Sequence, residues 1–392
     1  MKPGTLLIHN SGAMDPVTGA LGTPVFQTST FDQGISFRDE EETAPGTAAG
    51  QIPAREFDYA RSGNPTRKAL EETIAALETG TAGFAFASGI AAVSSVLGIF
   101  SAGDHIVTAE DIYGGSYRII NTYFKRWGLE ATAVDASDPE AIRRAIRRST
   151  KALFLETPSN PLLKITGLRE AFKIAKDAGI LSIVDNTFMT PLLQKPLDLG
   201  ADIVIHSATK FLGGHSDVLA GLAVTKTPEL GKRLYAVQNG FGAVLGPWDS
   251  WLVMRGIKTL RSRLLLQQRT AAFIAEKLRG HPGIAAVYYP GLPDHPGKAL
   301  HDSQCAGPGA VLSFKTRTAE AALRFLGRTK LAAAAVSLGG VETIASYPVR
   351  MSHAAMPAEE RERLGITNTL IRISVGLEEQ EDLIADFEAA LE

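Results

Sequence analysis

The sequence predicts an α/β protein with a mostly parallel central sheet, and two features lead to this expectation. Short apolar runs of strand length recur from residue 83 onward, and helix-length amphipathic segments, such as 139–148 and 168–178, separate several of them. Strands that alternate with helices form parallel sheets whose two faces the helices cover. The chain has 392 residues, and one hydrophobic core rarely grows past about 250–300 residues, so two domains are expected.

The apolar runs of the first half define the expected large sheet. They lie at residues 83–87, 105–108, 152–155, 181–184 and 202–205. Before them, Asn64-Pro65 predicts the start of a helix, since asparagine caps helix N-termini and proline suits the first helical position. In an open parallel sheet the ligand lies beyond the carboxyl ends of the strands. The residues that follow each run are therefore the first candidates for a site.

The domain organisation follows from where these patterns begin and change. Residues 1–60 show little periodicity and are expected to form an N-terminal arm; within it, an acidic run at 39–42 precedes a loop-like segment rich in Thr, Ala, Gly and Pro at 43–53. Residues 61–256 are expected to form the large domain, and a long helical pattern at 248–279 leads to a smaller C-terminal α+β domain, residues 257–392. Its expected elements are strands at 285–289, 310–315 and 370–375 and helices at 319–326 and 379–391.

Composition excludes several classes of function. With 40 Lys and Arg against 42 Asp and Glu, the net charge of −2 argues against a nucleic-acid or membrane-surface partner. The single cysteine, Cys305, excludes an internal disulfide framework, and the histidines lack metal-ligand spacing, so no metal is expected. We see neither a signal-peptide pattern nor an apolar run of about 18 residues, and we expect a cytoplasmic protein.

Chemistry-bearing residues follow three of the predicted strands. Asp185 ends one run, and Lys210 follows the next run together with the hydroxyl residues Ser207 and Thr209. An aspartate and a lysine alone usually form a surface salt bridge, but Ser88-Gly89-Ile90 also opens a helix after an earlier strand, where bare amides suit a phosphate. Pyridoxal phosphate requires this combination: its aldehyde condenses with a lysine, a carboxylate keeps its ring nitrogen protonated, and its phosphate needs donors.

Eight motifs, in order along nearly the whole chain, carry a family resemblance. They lie at residues 59–66, 86–92, 111–115, 156–161, 184–187, 206–215, 337–343 and 372–376, and the stretch 206–215, HSATKFLGGH, is the most specific. With these motifs the chain resembles the Cys/Met-metabolism family of pyridoxal-phosphate enzymes. The resemblance implies the aspartate aminotransferase-like fold, fold type I, with pyridoxal 5'-phosphate as the cofactor.

The resemblance also implies a role for each matching residue. Lys210 would form the Schiff base with the cofactor and later act as the base that takes the substrate α-proton. Asp185 would pair with the ring nitrogen. The phosphate would be held by Ser88, Gly89, Ile90, Ser207 and Thr209 and, from the neighbouring subunit, by Tyr59 and Arg61.

The remaining implied roles concern the substrate and the cofactor ring. Tyr113 would stack on the ring and assist proton transfer to the leaving group, and Asn160 would bond the ring hydroxyl and lie beside the substrate. Arg372 would clamp the substrate carboxylate with help from Ser337, since a planar guanidinium binds carboxylates in bidentate fashion. Arg118 is a weaker candidate near the cofactor. The implied assembly is a homotetramer, a dimer of dimers, acting on a small amino acid.

Within the family, the reaction is the open question. The stretches 184–191, 238–246 and 347–357 look like the Bacillus-type cystathionine β-lyases, which favours a carbon–sulfur lyase that forms homocysteine, pyruvate and ammonia from cystathionine in methionine biosynthesis. The alternatives are a cystathionine γ-synthase, a cystathionine γ-lyase or an O-acetylhomoserine sulfhydrylase. A transaminase of the same fold is a further alternative, and a catalytically silent relative would lack Lys210, Asp185 or Arg372. The arm loop at 37–57 is longer than the resemblance implies.

Overall fold

The N-terminal arm begins with a short helix. The structure, a computed structural model, describes residues 1–9, 15, 18–32 and 56–392. Helix α1 (Pro3–His9) was not expected from the sequence, and its Leu7 is buried in the larger hydrophobic core. The acidic run at 39–42 and the segment 43–53 lie outside the described residues, as does the arm loop 37–57 apart from its last two residues.

The large sheet has seven strands and is mostly parallel, as predicted. They are β1 (Ala82–Phe86), β2 (His105–Ala109), β3 (Glu130–Val134), β4 (Thr150–Glu156), β5 (Leu181–Asp185), β6 (Ile203–Ser207) and β7 (Gly221–Thr225), in the order β1-β7-β6-β5-β4-β2-β3. Among the strands of this sheet that the structure describes, β7 alone runs opposite to the other six. Each of the five predicted runs overlaps a strand and extends past it by no more than one residue. Strands β3 and β7 were not among the predicted runs. Strand β3 is an edge strand with largely exposed side chains and no continuous apolar run. Strand β7 was missed although it is buried along its whole length.

Helices cover this sheet, and local sequence signals fix their ends. They are α2 (Pro65–Leu77), α3 (Gly89–Leu97), α4 (Gly114–Ile119), α5 (Pro139–Ala145), α6 (Leu168–Asp177), α7 (Thr190–Leu193), α8 (Pro196–Leu199) and α9 (Pro228–Phe241). The Asn64 side chain caps α2 by accepting from the N–H groups of Thr66 and Arg67, as its sequence predicts. Helix α4 continues into a π-helical turn at Ile120–Phe124.

A 33-residue helix, α10 (Pro247–Arg279), leads from the first core to the second. The second sheet contains β8 (Ile284–Tyr288), β9 (Val311–Thr316), β10 (Ala333–Ala334), β11 (Ile344–Ser346) and β12 (Leu370–Ser374), in the order β10-β11-β12-β9-β8. Its helices are α11 (Lys298–Gln304), α12 (Ala319–Arg328), α13 (Ala358–Arg363) and α14 (Gln380–Leu391). Along α10, Leu264 belongs to the first core and Ala271 to the second, and we propose that the domain boundary lies within this helix. None of the helices described is both long and apolar enough to cross a membrane.

Candidate active site

Three adjacent strands of the large sheet bring their carboxyl ends together. Glu156 ends β4 and is paired in register with Asp185, which ends β5, and β6 ends beside them at Ser207. The N-terminus of α3 reaches the same edge, because a Cβ added at Gly89 would lie 2.7 Å from both Cβ and Oγ of Ser207. Only glycine permits this approach, which places helix amides beside the Ser207 hydroxyl.

Lys210 lies in the turn that follows β6, and its amine contacts the segment between β10 and β11. Its N–H donates to the carbonyl of Ser207 at 3.1 Å, and its Nζ donates to the Ser337 hydroxyl at 2.6 Å. Burial lowers the pKa of Lys210 to about 8, with a further contribution from Arg372 and an opposing one from Asp185. An amine with this pKa loses its proton readily enough to serve as a base near neutral pH.

Arg372, on β12, is a buried guanidinium held by uncharged acceptors. Its Nη1 donates to Asn160 Oδ1 at 2.8 Å, and its Nη2 donates to the Ser337 carbonyl at 2.8 Å and to Ser346 Oγ at 3.2 Å. Its side chain is 3% exposed, and Nε has no partner among the residues described. Burial lowers its pKa to about 10, so Arg372 remains a cation with donor capacity for an anionic ligand.

Ser337 joins the lysine to the arginine. Its hydroxyl accepts from Lys210 and its carbonyl accepts from Arg372. Its backbone φ of +87° lies in the left-handed region, which is strained for a residue with a side chain. A non-glycine residue kept in this conformation between two cations is the kind of outlier that clusters at functional sites.

Asp185 is oriented by the turn that follows it. Its Oδ1 accepts from the N–H of Thr187 at 3.0 Å and from the Thr187 hydroxyl at 2.5 Å, and that hydroxyl accepts from the Ser207 N–H at 2.8 Å. Burial raises the pKa of Asp185, while the bonds from Thr187 and the charges of His206 and Lys210 oppose the rise. The carboxylate is 9% exposed, so it can face a ligand from a mostly dry position.

The residues expected to hold a phosphate lie around the start of α3 and after β6. Ser88 caps α3, and its Oγ accepts from the Ala91 N–H at 3.1 Å, which leaves the amides of Gly89 and Ile90 at the first turn. The hydroxyl of Thr209, by contrast, already bonds to the main chain. It accepts from the Ala220 N–H at 3.0 Å and donates to the Ala220 carbonyl at 3.2 Å.

Tyr113 stands at the entrance to α4. Its main-chain N–H donates to Glu156 Oε2 at 2.7 Å, while its side chain is 44% exposed. Arg118, the weaker candidate, is exposed on the last turn of α4, and its carbonyl accepts from the Thr122 hydroxyl at 2.5 Å.

Tyr59 and Arg61 lie apart from this cluster within the chain. Arg61 Nε donates to Asn239 Oδ1 of α9 at 3.2 Å, and its guanidinium lies 5.4 Å from the centre of the Tyr59 ring. Over the ranges that the structure covers, neither residue makes a hydrogen bond to Lys210, Asp185 or Ser207. The Tyr59 side chain is exposed.

Sequence reasoning did not assign four residues that the structure places here. Thr187 orients Asp185, and Ser346 orients Arg372. Glu156 accepts from the main-chain N–H of Tyr113. Burial, together with the nearby charge of Arg372, lowers the pKa of His353 to about 4. Thr187 had a local signal, because a hydroxyl residue two positions after an aspartate commonly bonds it. Ser346 and His353 had none, since tertiary packing alone brings them to the site.

The residues present fit pyridoxal phosphate. A buried lysine of lowered pKa suits an aldehyde, a buried and oriented aspartate suits a protonated ring nitrogen, and helix amides beside a serine suit a phosphate. The unpartnered Nε of Arg372 suits the carboxylate of an amino acid. No group of three His, Cys, Asp or Glu side chains that could hold a metal ion was found in the described part of the chain.

Together the fold and the site define a pyridoxal-phosphate enzyme of fold type I. The family profile described as Cys/Met metabolism PLP-dependent enzyme matches residues 4–392. The chain belongs to this family.

Individual relatives match over nearly their whole length. A Bacillus subtilis protein named cystathionine beta-lyase MetC is 54% identical, over 99% of this chain and 95% of its own. A second Bacillus subtilis protein, named cystathionine gamma-lyase, is 50% identical over the full length of both. The crystal structure of a cystathionine gamma-lyase from Lactobacillus plantarum, complexed with L-serine, superposes with a TM-score of 0.93 at 45% identity, covering 100% of this chain and 98% of that one.

Proposed function

We propose that this protein is a carbon–sulfur lyase that cleaves L-cystathionine by β-elimination to homocysteine, pyruvate and ammonia. The observation that carries the proposal is the link from Lys210 through Ser337 to Arg372, because it places a base beside a carboxylate-binding guanidinium. The choice of β-elimination is supported by the 54% identity to a relative named cystathionine beta-lyase and by the stretches 184–191, 238–246 and 347–357.

The cofactor would be held at both of its ends. We assign its ring nitrogen to Asp185 and its ring hydroxyl to Asn160, whose Oδ1 accepts from Arg372 and whose Nδ2 would donate to the ring hydroxyl. When bound, pyridoxal phosphate supplies an electron sink that stabilises negative charge at the substrate α-carbon. The phosphate contacts are assigned to Ser88, the amides of Gly89 and Ile90, Ser207 and, after its hydroxyl turns from Ala220, Thr209.

The substrate would be oriented by its α-carboxylate. Arg372 would bind this group through Nε, which has no partner among the residues described, and through Nη2 after one of its present bonds, to Ser346 Oγ or to the Ser337 carbonyl, is exchanged for the substrate. Ser337 would adjoin the carboxylate, so that the α-hydrogen faces Lys210. Lys210, in its neutral form, would take the α-proton. Its lowered pKa of about 8 makes this form far more accessible near neutral pH than in an ordinary lysine, and Arg372, which contributes to lowering that pKa, would also bind the substrate.

Cleavage of the carbon–sulfur bond requires a proton on the leaving sulfur. We assign its delivery to Tyr113, whose exposed ring is anchored through its main chain to Glu156. The β-carbon–sulfur bond breaks with its electron pair on sulfur, homocysteine leaves, and hydrolysis of the remaining three-carbon unit gives pyruvate and ammonia.

A γ-elimination is the second candidate, because a relative named cystathionine gamma-lyase is 50% identical over the whole chain. Incubation of the purified holoenzyme with L-cystathionine separates the two reactions. Pyruvate with homocysteine supports the proposal, whereas 2-oxobutyrate with cysteine overturns it in favour of the γ-lyase. Lys210→Ala is the control, and it is expected to lose both the reaction and the visible absorbance band of the bound cofactor.

We propose further that the active unit is at least a dimer, assembled as a tetramer in the cytoplasm, with Tyr59 and Arg61 reaching the phosphate of the neighbouring subunit. A single cysteine suits a reducing compartment, which supports the cytoplasm. The guanidinium of Arg61 stacks on the Tyr59 ring at the surface beside α9, which supports a contact with a neighbouring subunit. Hybrid oligomers of Arg61→Ala and Lys210→Ala chains test the sharing. If each site uses residues of both chains, one site of a mixed dimer carries both substitutions and the other carries neither, so activity returns on mixing. If each chain forms its site alone, every site carries one substitution and activity stays absent.

A further inference from the structure

Glu156 lies among the proposed catalytic groups without a role in the reaction above. It ends β4 with a side chain that is 5% exposed, and its register partner on β5 is Asp185. Residues paired across neighbouring strands project from the same face of the sheet, with the strands about 4.8 Å apart. Two buried carboxyl groups therefore stand side by side at the site.

The hydrogen bonds favour the charge on Asp185. Neighbouring buried carboxyl groups do not both ionise without a large cost, and donors stabilise the ionised form. Asp185 receives two bonds from Thr187, whereas Glu156 receives one, from the N–H of Tyr113.

The surrounding charges act in the same direction. Glu156 faces the acids Asp185 and Asp111 and one cation, Arg372, whereas Asp185 faces Lys210 and His206. The pKa of Glu156 is accordingly raised well above its usual range, first by burial and then by Asp185.

Glu156 also fixes the backbone from which the Tyr113 ring projects. The Tyr113 ring packs against Gly115, because a Cβ added at Gly115 would lie 2.4 Å from Cε1 of the ring. Gly114 packs against the Ser352 carbonyl, because a Cβ added at Gly114 would lie 1.8 Å from that oxygen. The Tyr113 side chain makes no capping bond of its own at this end of α4. The carboxyl of Glu156 thus holds the first free N–H of a tightly packed turn.

We propose that Glu156 is a positioning residue: protonated, it accepts the Tyr113 N–H, which fixes the Tyr113 ring, and it leaves the negative charge of the pair to Asp185. The inference rests on the proposed function, because Tyr113 and Asp185 matter as contacts of the cofactor ring.

Two variants distinguish the role of Glu156 as a hydrogen-bond acceptor from the effect of a charge on its carboxyl group. Glu156→Gln keeps a neutral acceptor for the Tyr113 N–H, and Glu156→Ala removes the acceptor. The matched control is Glu378→Gln, because Glu378 accepts the Thr343 N–H at the same distance of 2.7 Å but lies in the small domain. The readouts on each holoenzyme are the cofactor dissociation constant, from equilibrium dialysis, and the circular dichroism and pH titration of the visible band.

Glu156→Gln and Glu378→Gln are expected to keep the cofactor dissociation constant within about threefold of the wild-type value. They are also expected to leave the midpoint of the visible-band pH titration unchanged. Glu156→Ala is expected to weaken cofactor binding about tenfold and to change the visible dichroism, because an N–H is left without a partner and the Tyr113 ring moves.

The inference is overturned if Glu156→Gln weakens binding about tenfold or moves the titration midpoint by about 0.5 or more, since a charge would then have been lost. It is equally overturned if Glu156→Ala leaves binding and dichroism unchanged. If Glu156→Ala does not fold, the Glu156→Gln titration still decides. Lys210→Ala distinguishes failure of this inference from failure of the proposed function. If Lys210→Ala retains the visible band, the proposed function itself is overturned. If the band is lost, only the role of Glu156 is overturned.

Discussion

Replacing Lys210 by methionine is expected to stabilise the cofactor-free protein at neutral pH. The lysine amine is charged below pH 8 and is held in a mostly dry position, where burial and Arg372 oppose its charge and Asp185 favours it. Methionine keeps the length and shape of the side chain and removes the charge. The same substitution abolishes the proposed base, so stability and activity are expected to change in opposite directions.

The magnitude follows from the pKa. Folding lowers the pKa of Lys210 from 10.5 to about 8, and a difference of about 2.5 in pKa corresponds to about 3 kcal/mol of destabilisation at pH 7. Methionine also loses the hydrogen bond to Ser337, which contributes about 1 kcal/mol. Lys210→Met should therefore raise the free energy of unfolding by about 2 kcal/mol at pH 7.

The pH dependence gives the sharper test. Between pH 8 and 10.5 the unfolded chain holds more protons at this lysine than the folded chain does, so the stability of the wild-type protein rises with pH through this window. The advantage of Lys210→Met should shrink across it and become a small deficit above about pH 10.5.

Urea unfolding of the cofactor-free proteins at pH 7 and at about pH 10.5 measures both effects. Lys151→Met, which changes an exposed lysine of β4, is the control and should show neither effect. A Lys210→Met protein that is no more stable than wild type at pH 7, or whose advantage does not decline with pH, would refute the reasoning.

Three further substitutions test the other parts of the site. Arg372→Lys should lower kcat/KM for cystathionine about a hundredfold, since a lysine ammonium keeps the charge but cannot make the planar bidentate contact to the substrate carboxylate; pyruvate release measures this, and a loss under about fivefold contradicts the clamp. Gly89→Ala should destabilise the holoenzyme by about 1–3 kcal/mol in urea unfolding, because its Cβ would lie 2.7 Å from Ser207, whereas Gly240→Ala, with open space around it, should not. Tyr113→Phe should slow elimination about a hundredfold with the visible band unchanged, and equal rates would remove Tyr113 from proton transfer.

Local sequence signals predicted the elements because they depend on near neighbours. The five apolar runs of the first half all overlap strands of the large sheet, and the Asn64-Pro65 pair begins α2. Strands β3, β7, β10 and β11 and helix α1 escaped prediction. An exposed edge strand, strands of two or three residues and a seven-residue helix carry weak periodicity. Strand β7 was missed although all five of its residues are buried. The helix predicted at 139–148 ends at residue 145, where Ile146 turns to an extended backbone.

The sequence by itself determined that Asp185, Ser207 and the start of α3 share one edge of the sheet, because the carboxyl ends of parallel strands meet there. Only the tertiary structure decided which groups far apart in the sequence touch. Lys210 meets Ser337 from 127 residues away, and Arg372 meets Asn160 from 212 residues away. Such contacts, and the burial that lowers the pKa of Lys210, depend on how the elements around the two sheets pack together, which periodicity along the chain does not encode.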